Sequence, residues 1–166
     1  MPEQLSRMPR PEICTTRRAV IAGSAAILIG VPQLLRAQQS EIWSARDAHD
    51  ALSSDLIRMI DVRSRVEWSE TAIATGAWPI SLHEDRFVQR LFEAKAVADG
   101  RPVAVICATG GRSGYVMRSL RQGGYDGFID VSEGMLGSDK GPGWIAAGLP
   151  TVSADAALEV LPAALL

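Results

Sequence analysis

One short segment limits the fold of this chain more than any other: the apolar run Val-Ala-Val-Ile at residues 103–106. A short continuous apolar run rich in β-branched residues is typical of a strand that is buried on both faces of a parallel sheet. Segments with helical spacing precede and follow this run, over residues 84–98 and from about Ser113 to Gly123. Because parallel strands need crossover connections, the order predicts an open, mostly parallel α/β sheet with helices on both faces.

The other patterns continue the alternation of strands and helices, and together they predict about five strands. Ser44 is a candidate N-cap for the first helix. The remaining predicted elements are a helix over 44–52, a strand over 56–61, a turn region over 64–75, a strand around 77–80, a strand over 127–131, a helical turn over 144–147 and a tail or helix over 155–166.

The first 37 residues have the layout of an export signal. Arg17 and Arg18 are adjacent, and the next 17 residues are uncharged and rich in Ala, Gly and Ser. A basic segment, a short apolar segment and a small residue at the cut define a secretory signal, and the arginine pair resembles a twin-arginine signal. We predict cleavage after Ala37 and a periplasmic location. The alternative is an uncleaved membrane anchor over residues 19–35, which are barely long enough to span a bilayer.

The part after the signal is predicted to be one domain over residues 38–154, followed by the C-terminal tail or helix. Residues 38–166 carry 12 Lys and Arg against 17 Asp and Glu, without a basic cluster, so a nucleic-acid partner is excluded. They contain one cysteine, which excludes a disulfide framework and a four-cysteine zinc site. His49 and His83 lack further ligands at metal spacing, so we predict no metal and no cofactor.

Cys107 follows the buried strand directly and precedes a glycine-rich turn into a helix. The free N–H groups and partial positive charge of a helix N-terminus favour a thiolate over a thiol. Gly110 and Gly111 let the backbone curl so that several N–H groups face one point, and Arg112 adds a positive charge at the rim. We predict Cys107 as the catalytic residue; the alternative is a buried cysteine that only packs. The predicted anion-binding loop consists of Ala108, Thr109, Gly110, Gly111, Arg112 and Ser113.

Several ordered motifs resemble the signatures of the rhodanese-like domain family of sulfurtransferases. The similarity covers about residues 44–152. The chain departs from the family pattern at Thr71-Ala72, where Gly-His is usual. The motifs that carry the resemblance are Cys107-x-x-Gly110-x-Arg112-Ser113, Asp61-Val62-Arg63 with Glu67-Trp68, Gly76-Ala77, Gly124-Tyr125, and Trp144 with Gly148-Leu149-Pro150.

The resemblance implies a rhodanese-like fold and sulfur transfer by double displacement. Cys107 would take sulfur from thiosulfate or a similar small anionic donor and carry it as a persulfide. An external thiol, cyanide or a sulfur-carrier protein would accept the sulfur, since residues 38–166 hold no second cysteine that could resolve the persulfide. Asp61 and Arg63 would line the pocket or brace the loop. The membrane would be a partner only through an uncleaved signal.

Three alternatives to a sulfurtransferase follow from the same residues. Four residues separate Cys107 from Arg112, whereas tyrosine phosphatases need five for a loop that encloses phosphate, so a phosphatase is disfavoured. A thiol-redox enzyme such as an arsenate reductase would need a resolving cysteine. The main alternative is a rhodanese-like module that carries sulfur or docks on a partner protein with low turnover.

Overall fold

A five-stranded parallel sheet forms the centre of the structure, a computed structural model that describes residues 42–166. The predicted export signal of residues 1–37 lies outside the described residues. The strands are β1 (Ile42–Trp43), β2 (Arg58–Asp61), β3 (Ile73–Ala74), β4 (Ala77–Pro79), β5 (Val103–Ile106), β6 (Phe128–Val131) and β7 (Thr151–Val152). The parallel sheet has the order β1-β6-β5-β2-β4, while β3 and β7 form a separate antiparallel pair.

Helices cover both faces of the central sheet. The helices are α1 (Ala45–Ser53), α2 (Arg65–Thr71), α3 (Phe87–Val97), α4 (Gly111–Gln122), α5 (Gly143–Ala146), α6 (Ala154–Glu159) and a 3-10 helix (Ala163–Leu165). Side chains of α3 and α4 pack on one face, and side chains of α1, α2, α5 and α6 pack on the other. Along β5, Val103 and Val105 join the first core while Ala104 and Ile106 join the second. The predicted fold class, an open α/β sheet covered on both faces, is confirmed.

The interpretation of residues 64–75 as a turn region is wrong, because this segment contains α2. Ser64 caps the helix: its hydroxyl accepts from the Glu67 N–H at 3.3 Å, and the Glu67 carboxylate accepts from the Ser64 N–H at 2.9 Å. This reciprocal pair is a capping box, which provides partners for two N–H groups that a short helix would otherwise leave unbonded. The Ser-x-x-Glu spacing typical of a capping box is visible in the sequence at Ser64 and Glu67.

Other predicted boundaries shift by two or three residues. Helix α4 begins at Gly111 rather than near Ser113, and α3 begins at Phe87 rather than at 84, because residues 84–87 form a turn with a 3.0 Å bond from the Phe87 N–H to the Glu84 carbonyl. The C-terminal residues fold back, and Leu161 and Leu165 are buried in the core beside α3 and α4. Within residues 42–166, no helix combines the length and apolar character needed to cross a bilayer.

Candidate active site

Cys107 lies at the carboxyl end of β5, the middle strand of the sheet, where the chain turns into α4. In parallel sheets this edge gathers functional groups, because strands end and helices begin there. Asp61 ends the neighbouring strand β2 and pairs in register with Ile106. The fold therefore brings the two motifs at Asp61 and Cys107 to the same edge of the sheet.

Ser113 provides two polar groups to the Cys107 sulfur. Its backbone N–H donates to Sγ at 3.4 Å, and its hydroxyl oxygen lies 3.6 Å from Sγ. Ser113 belongs to the first turn of α4, where unpaired N–H groups and the helix dipole favour negative charge. The sequence favours donors from residues 108–112, whereas the N–H that bonds to Sγ belongs to Ser113, in the first turn of α4.

Two glycines let neighbouring loops lie against the Cys107 loop. Gly110 has a φ of +83°, and a Cβ atom there would stand 2.0 Å from the Ser132 carbonyl oxygen. Gly134 has a φ of +73°, and its Cβ would stand 2.4 Å from the Ala108 carbonyl oxygen. Both positions therefore need glycine. The loop after β6, which contains Gly134, was not among the predicted site residues.

The segment after Gly134 also satisfies the carbonyl groups at the start of the Cys107 loop. The Met135 N–H donates to the Cys107 carbonyl at 2.8 Å, and the Leu136 N–H donates to the Ala108 carbonyl at 2.8 Å. Because these two carbonyl groups already have hydrogen-bond partners, the N–H groups of the turn are the polar groups that can face the sulfur. Thr109 is the exposed side chain of the loop.

The Cys107 side chain is 1% exposed and belongs to the apolar core that also contains Val62, Val105 and Val116. Ser113 is equally buried. This environment agrees with the alternative in which Cys107 only packs. A reagent in solution reaches Sγ only when the side chains around it move.

Arg112 does not present an unpaired charge at the rim, because it forms a two-point ion pair with Glu67 of α2. Its Nη1 donates to Oε2 at 2.7 Å and its Nη2 donates to Oε1 at 2.5 Å. The hydrogen bond from Arg112 holds the pKa of Glu67 at about 2, although partial burial acts in the opposite direction. Glu67 in turn raises the pKa of Arg112. Glu67 and Arg112 lie 45 residues apart, and no local pattern in the sequence connects the Glu67 carboxylate to the Cys107 loop.

Asp61 and Arg63 form a fully buried ion pair. Arg63 Nε donates to Asp61 Oδ1 at 3.0 Å, and Arg63 Nη2 donates to Asp61 Oδ2 at 2.7 Å. Arg63 also donates to the Thr71 hydroxyl at 2.5 Å and to the Ala72 carbonyl at 2.6 Å. The pair thus fixes the end of α2, and α2 carries the Glu67 carboxylate that holds Arg112.

The two histidines take part in local contacts. The His49 ring packs edge-on against Trp144 with centroids 5.7 Å apart, and its Nδ1 lies 3.1 Å from Asp50. The backbone N–H of His83 donates to the Ser81 hydroxyl at 3.2 Å. Among residues 42–166, no three His, Cys, Asp or Glu side chains come close enough together to bind a metal ion.

We expect Glu67→Gln to remove part of the acid sensitivity of the fold. The pKa of Glu67 is lowered from 4.5 to about 2, so its stabilising effect is complete above pH 4.5 and is lost as the pH falls toward about 2. At neutral pH the free energy of unfolding of the variant should be about 1 kcal/mol lower than that of the wild type. When the pH is lowered, this free energy should decrease less in the variant than in the wild type. Urea unfolding at neutral pH and at about pH 3 measures both effects.

Glu70→Gln is the matched control, since Glu70 lies exposed on the same helix. It should follow the wild-type dependence of stability on pH. If acidification lowered the free energy of unfolding equally in Glu67→Gln and in the wild type, that result would contradict the role assigned to the Glu67–Arg112 pair.

Comparison with known proteins identifies the fold family. The family model for the rhodanese-like domain matches residues 44–138. The solution structure of a rhodanese-like domain from Anabaena sp. is 20% identical, with a TM-score of 0.54 over 75% of this chain and 86% of that chain. A polysulfide-sulfur transferase homodimer from Wolinella succinogenes is 26% identical, with a TM-score of 0.45 over 68% of this chain and 77% of that chain. No curated protein matches the chain. Because the family model spans more than half of its residues, the chain belongs to the rhodanese-like domain family.

Proposed function

We propose that this protein transfers sulfane sulfur from thiosulfate or a similar small anionic donor to a thiol or cyanide acceptor through a persulfide on Cys107. Membership in the rhodanese-like family supports sulfur transfer as the general chemistry. The observation that carries the proposal is the Ser113 N–H that donates to Sγ at the N-terminus of α4. A donor in that position stabilises a thiolate nucleophile.

The proposed reaction has two displacements. The Cys107 thiolate attacks the outer sulfur of the donor, the donor's S–S bond breaks, and sulfite leaves with the bonding electron pair. The acceptor then attacks the terminal sulfur of the persulfide, and the electron pair returns to Cys107 as a thiolate. Because residues 38–166 hold no second cysteine, the acceptor comes from outside the domain, either as a small thiol or as a sulfur-carrier protein.

The ion pair between Arg112 and Glu67 limits how strongly Arg112 can attract an anionic donor. Glu67 neutralises the guanidinium, so a donor gains from Arg112 only by displacing the carboxylate. The Ser113 N–H remains directed at the sulfur. In this proposal the first attraction for the donor is therefore the N-terminal end of α4, and Arg112 contributes when Glu67 releases it.

A second candidate function is a sulfur-carrier or protein-docking module with low turnover. The burial of Cys107, which is 1% exposed, favours it. The two candidates differ in rate: a docking module would bind its partner without consuming a sulfur donor in repeated cycles.

We also propose that the protein is exported to the periplasm by the twin-arginine route. The support lies in the sequence alone: the pair Arg17 and Arg18, the uncharged segment over 19–35 and the small residue Ala37 at the cut. Retention of the segment over 19–35 as a membrane anchor is the alternative.

Steady-state kinetics with thiosulfate and cyanide test the proposed function. The full chain should produce thiocyanate and sulfite in equal amounts, with double-reciprocal plots that are parallel, as a covalent intermediate requires. A single stoichiometric release of sulfur without further cycles would favour the carrier or docking module. Hydrolysis of a phosphomonoester faster than sulfur transfer would overturn the proposal in favour of a phosphatase.

A further inference from the structure

The two ion pairs at the Cys107 edge of the sheet differ in how far solvent reaches them. The side chains of Asp61 and Arg63 are completely buried, so their pairing is a fixed part of the core. Arg112 and Glu67, by contrast, are 30% and 29% exposed. An ion pair that water reaches contributes little to stability and can open without unfolding the protein. The Arg112–Glu67 pair is therefore the one of the two that can exchange its partners.

Glu67 keeps part of its hydrogen bonding when Arg112 leaves it. Its Oε2 atom also accepts from the Ser64 N–H at 2.9 Å and from the Ser64 hydroxyl at 2.8 Å. These bonds belong to the capping box and hold the carboxylate in the first turn of α2. The carboxylate therefore stays in place after Arg112 has left, and it can bind the guanidinium again.

Arg112 is joined to the peptide group that contacts the reactive sulfur. The N–H that donates to Cys107 Sγ at 3.4 Å belongs to Ser113, in the peptide bond that directly follows Arg112. The Arg112 side chain thus starts beside the sulfur and ends on the two carboxylate oxygens of Glu67. A guanidinium presents parallel N–H groups that match a pair of oxygen atoms, in a carboxylate or in another oxyanion. Glu67 therefore fills on Arg112 the place that two oxygen atoms of a donor at Cys107 would take.

We propose that Glu67 is a specificity-determining residue that competes with the sulfur donor for Arg112. The inference rests on the proposed function, in which an anionic donor binds at Cys107. A donor with two or more oxygen atoms on its inner sulfur, such as thiosulfate or an organic thiosulfonate, replaces both bonds between Arg112 and Glu67. A persulfide has no such oxygen atoms and leaves the ion pair intact. Glu67 thus reduces the advantage that Arg112 would give to oxygen-bearing donors over persulfides.

Thiosulfate binding to the Cys107→Ser chain tests the inference without any sulfur transfer. Isothermal titration calorimetry compares this chain with the same chain carrying Glu67→Gln. Glutamine keeps the shape of the side chain and suits a capping box, but it lacks the charge and one of the two oxygens that hold Arg112. We expect the dissociation constant for thiosulfate to fall about fivefold, the effect of losing a partly exposed ion pair. Glu70→Gln, exposed on the same helix, should leave it unchanged.

Arg112→Gln distinguishes the release of Arg112 from a general loss of negative charge. In that background Glu67→Gln should no longer change the affinity for thiosulfate, because no guanidinium is left to release. A fivefold gain that persists without Arg112 would overturn the inference, since Glu67 would then act by repulsion alone. Equal or weaker binding in Glu67→Gln would also overturn it, and so would the absence of thiosulfate binding in every chain.

Sulfur loading of the chain that retains Cys107 tests the donor preference. Glu67→Gln should raise the rate of loading from subsaturating thiosulfate about fivefold and leave loading from mercaptoethanol persulfide unchanged, as measured by the mass of the Cys107 peptide. This gain accompanies the lower free energy of unfolding predicted above, whereas a residue with only a structural role would lower both quantities.

An equal change with both donors would contradict the competition between Glu67 and the donor. If thiosulfate bound as expected but loaded no sulfur onto Cys107, the proposed function would fail while this inference would stand. Loading from thiosulfate at the same rate in Glu67→Gln and in the wild type would overturn this inference alone. The two failures are therefore distinguishable.

Discussion

Replacing Cys107 by serine should lower the rate of sulfur transfer from thiosulfate to cyanide by about 10³-fold or more. Serine keeps the shape of the side chain and can bond to the Ser113 hydroxyl, which lies 3.6 Å from the present sulfur. A serine hydroxyl is not ionised at neutral pH and cannot hold a transferable sulfur atom, so no intermediate forms. Thiocyanate production under saturating thiosulfate measures the loss.

The matched control is Cys14→Ser, which removes the other cysteine of the chain. It should retain the wild-type rate, and circular dichroism should show that both variants fold. A Cys107→Ser variant that keeps a tenth or more of the wild-type rate would contradict a covalent intermediate on Cys107.

Gly110→Ala should destabilise the fold by about 3 kcal/mol. The new Cβ would stand 2.0 Å from the Ser132 carbonyl oxygen. The backbone φ at this position is +83°, a value that residues other than glycine rarely adopt. Either the loop after Cys107 or the end of β6 must move. We expect sulfur transfer to fall as well, because the shift displaces the first turn of α4 from the sulfur. Urea unfolding measures the free energy.

Gly111→Ala is the control for that effect, one residue further along. A Cβ atom at Gly111 meets nothing within 4 Å, and the residue lies in the first turn of α4. Alanine there should leave stability unchanged or raise it by about 0.5 kcal/mol through its higher helix propensity. Equal destabilisation by both substitutions would show that the close contact with Ser132 is not the cause.

The sheet and the position of Cys107 follow from local patterns in the sequence. The apolar run of β5 is buried on both faces, and only a central parallel strand has such an environment. A strand that ends at Ile106 and a helix that begins at Gly111 place Cys107 between them, close to a helix N-terminus. Both parts were predictable because strand burial and helix starts depend on neighbouring residues.

The contacts that surround the Cys107 loop join segments that are distant in the sequence. Glu67 and Arg112 are 45 residues apart, and Gly134 lies against Ala108 across the sheet edge. No local period encodes such pairs. The capping box at Ser64 and Glu67 was a readable signal for α2, but the same Glu67 carboxylate also binds Arg112, which only the folded chain reveals.

The three two-residue strands, β1, β3 and β7, show the same limit on a smaller scale. A strand of two residues has no alternation from which it could be recognised. Each forms because a partner strand is present: Ile42 pairs with Asp130 and Ile73 pairs with Val152. Their existence is a result of the fold rather than of their own sequence.

The most direct measurement is the mass of the Cys107 peptide after the full chain is incubated with thiosulfate and the excess donor is removed. We expect a gain of one sulfur atom on that peptide, none on the Cys14 peptide, and loss of the added mass when cyanide or a thiol is supplied. An unchanged Cys107 peptide in the correctly folded chain would contradict the persulfide and leave this cysteine as a buried core residue.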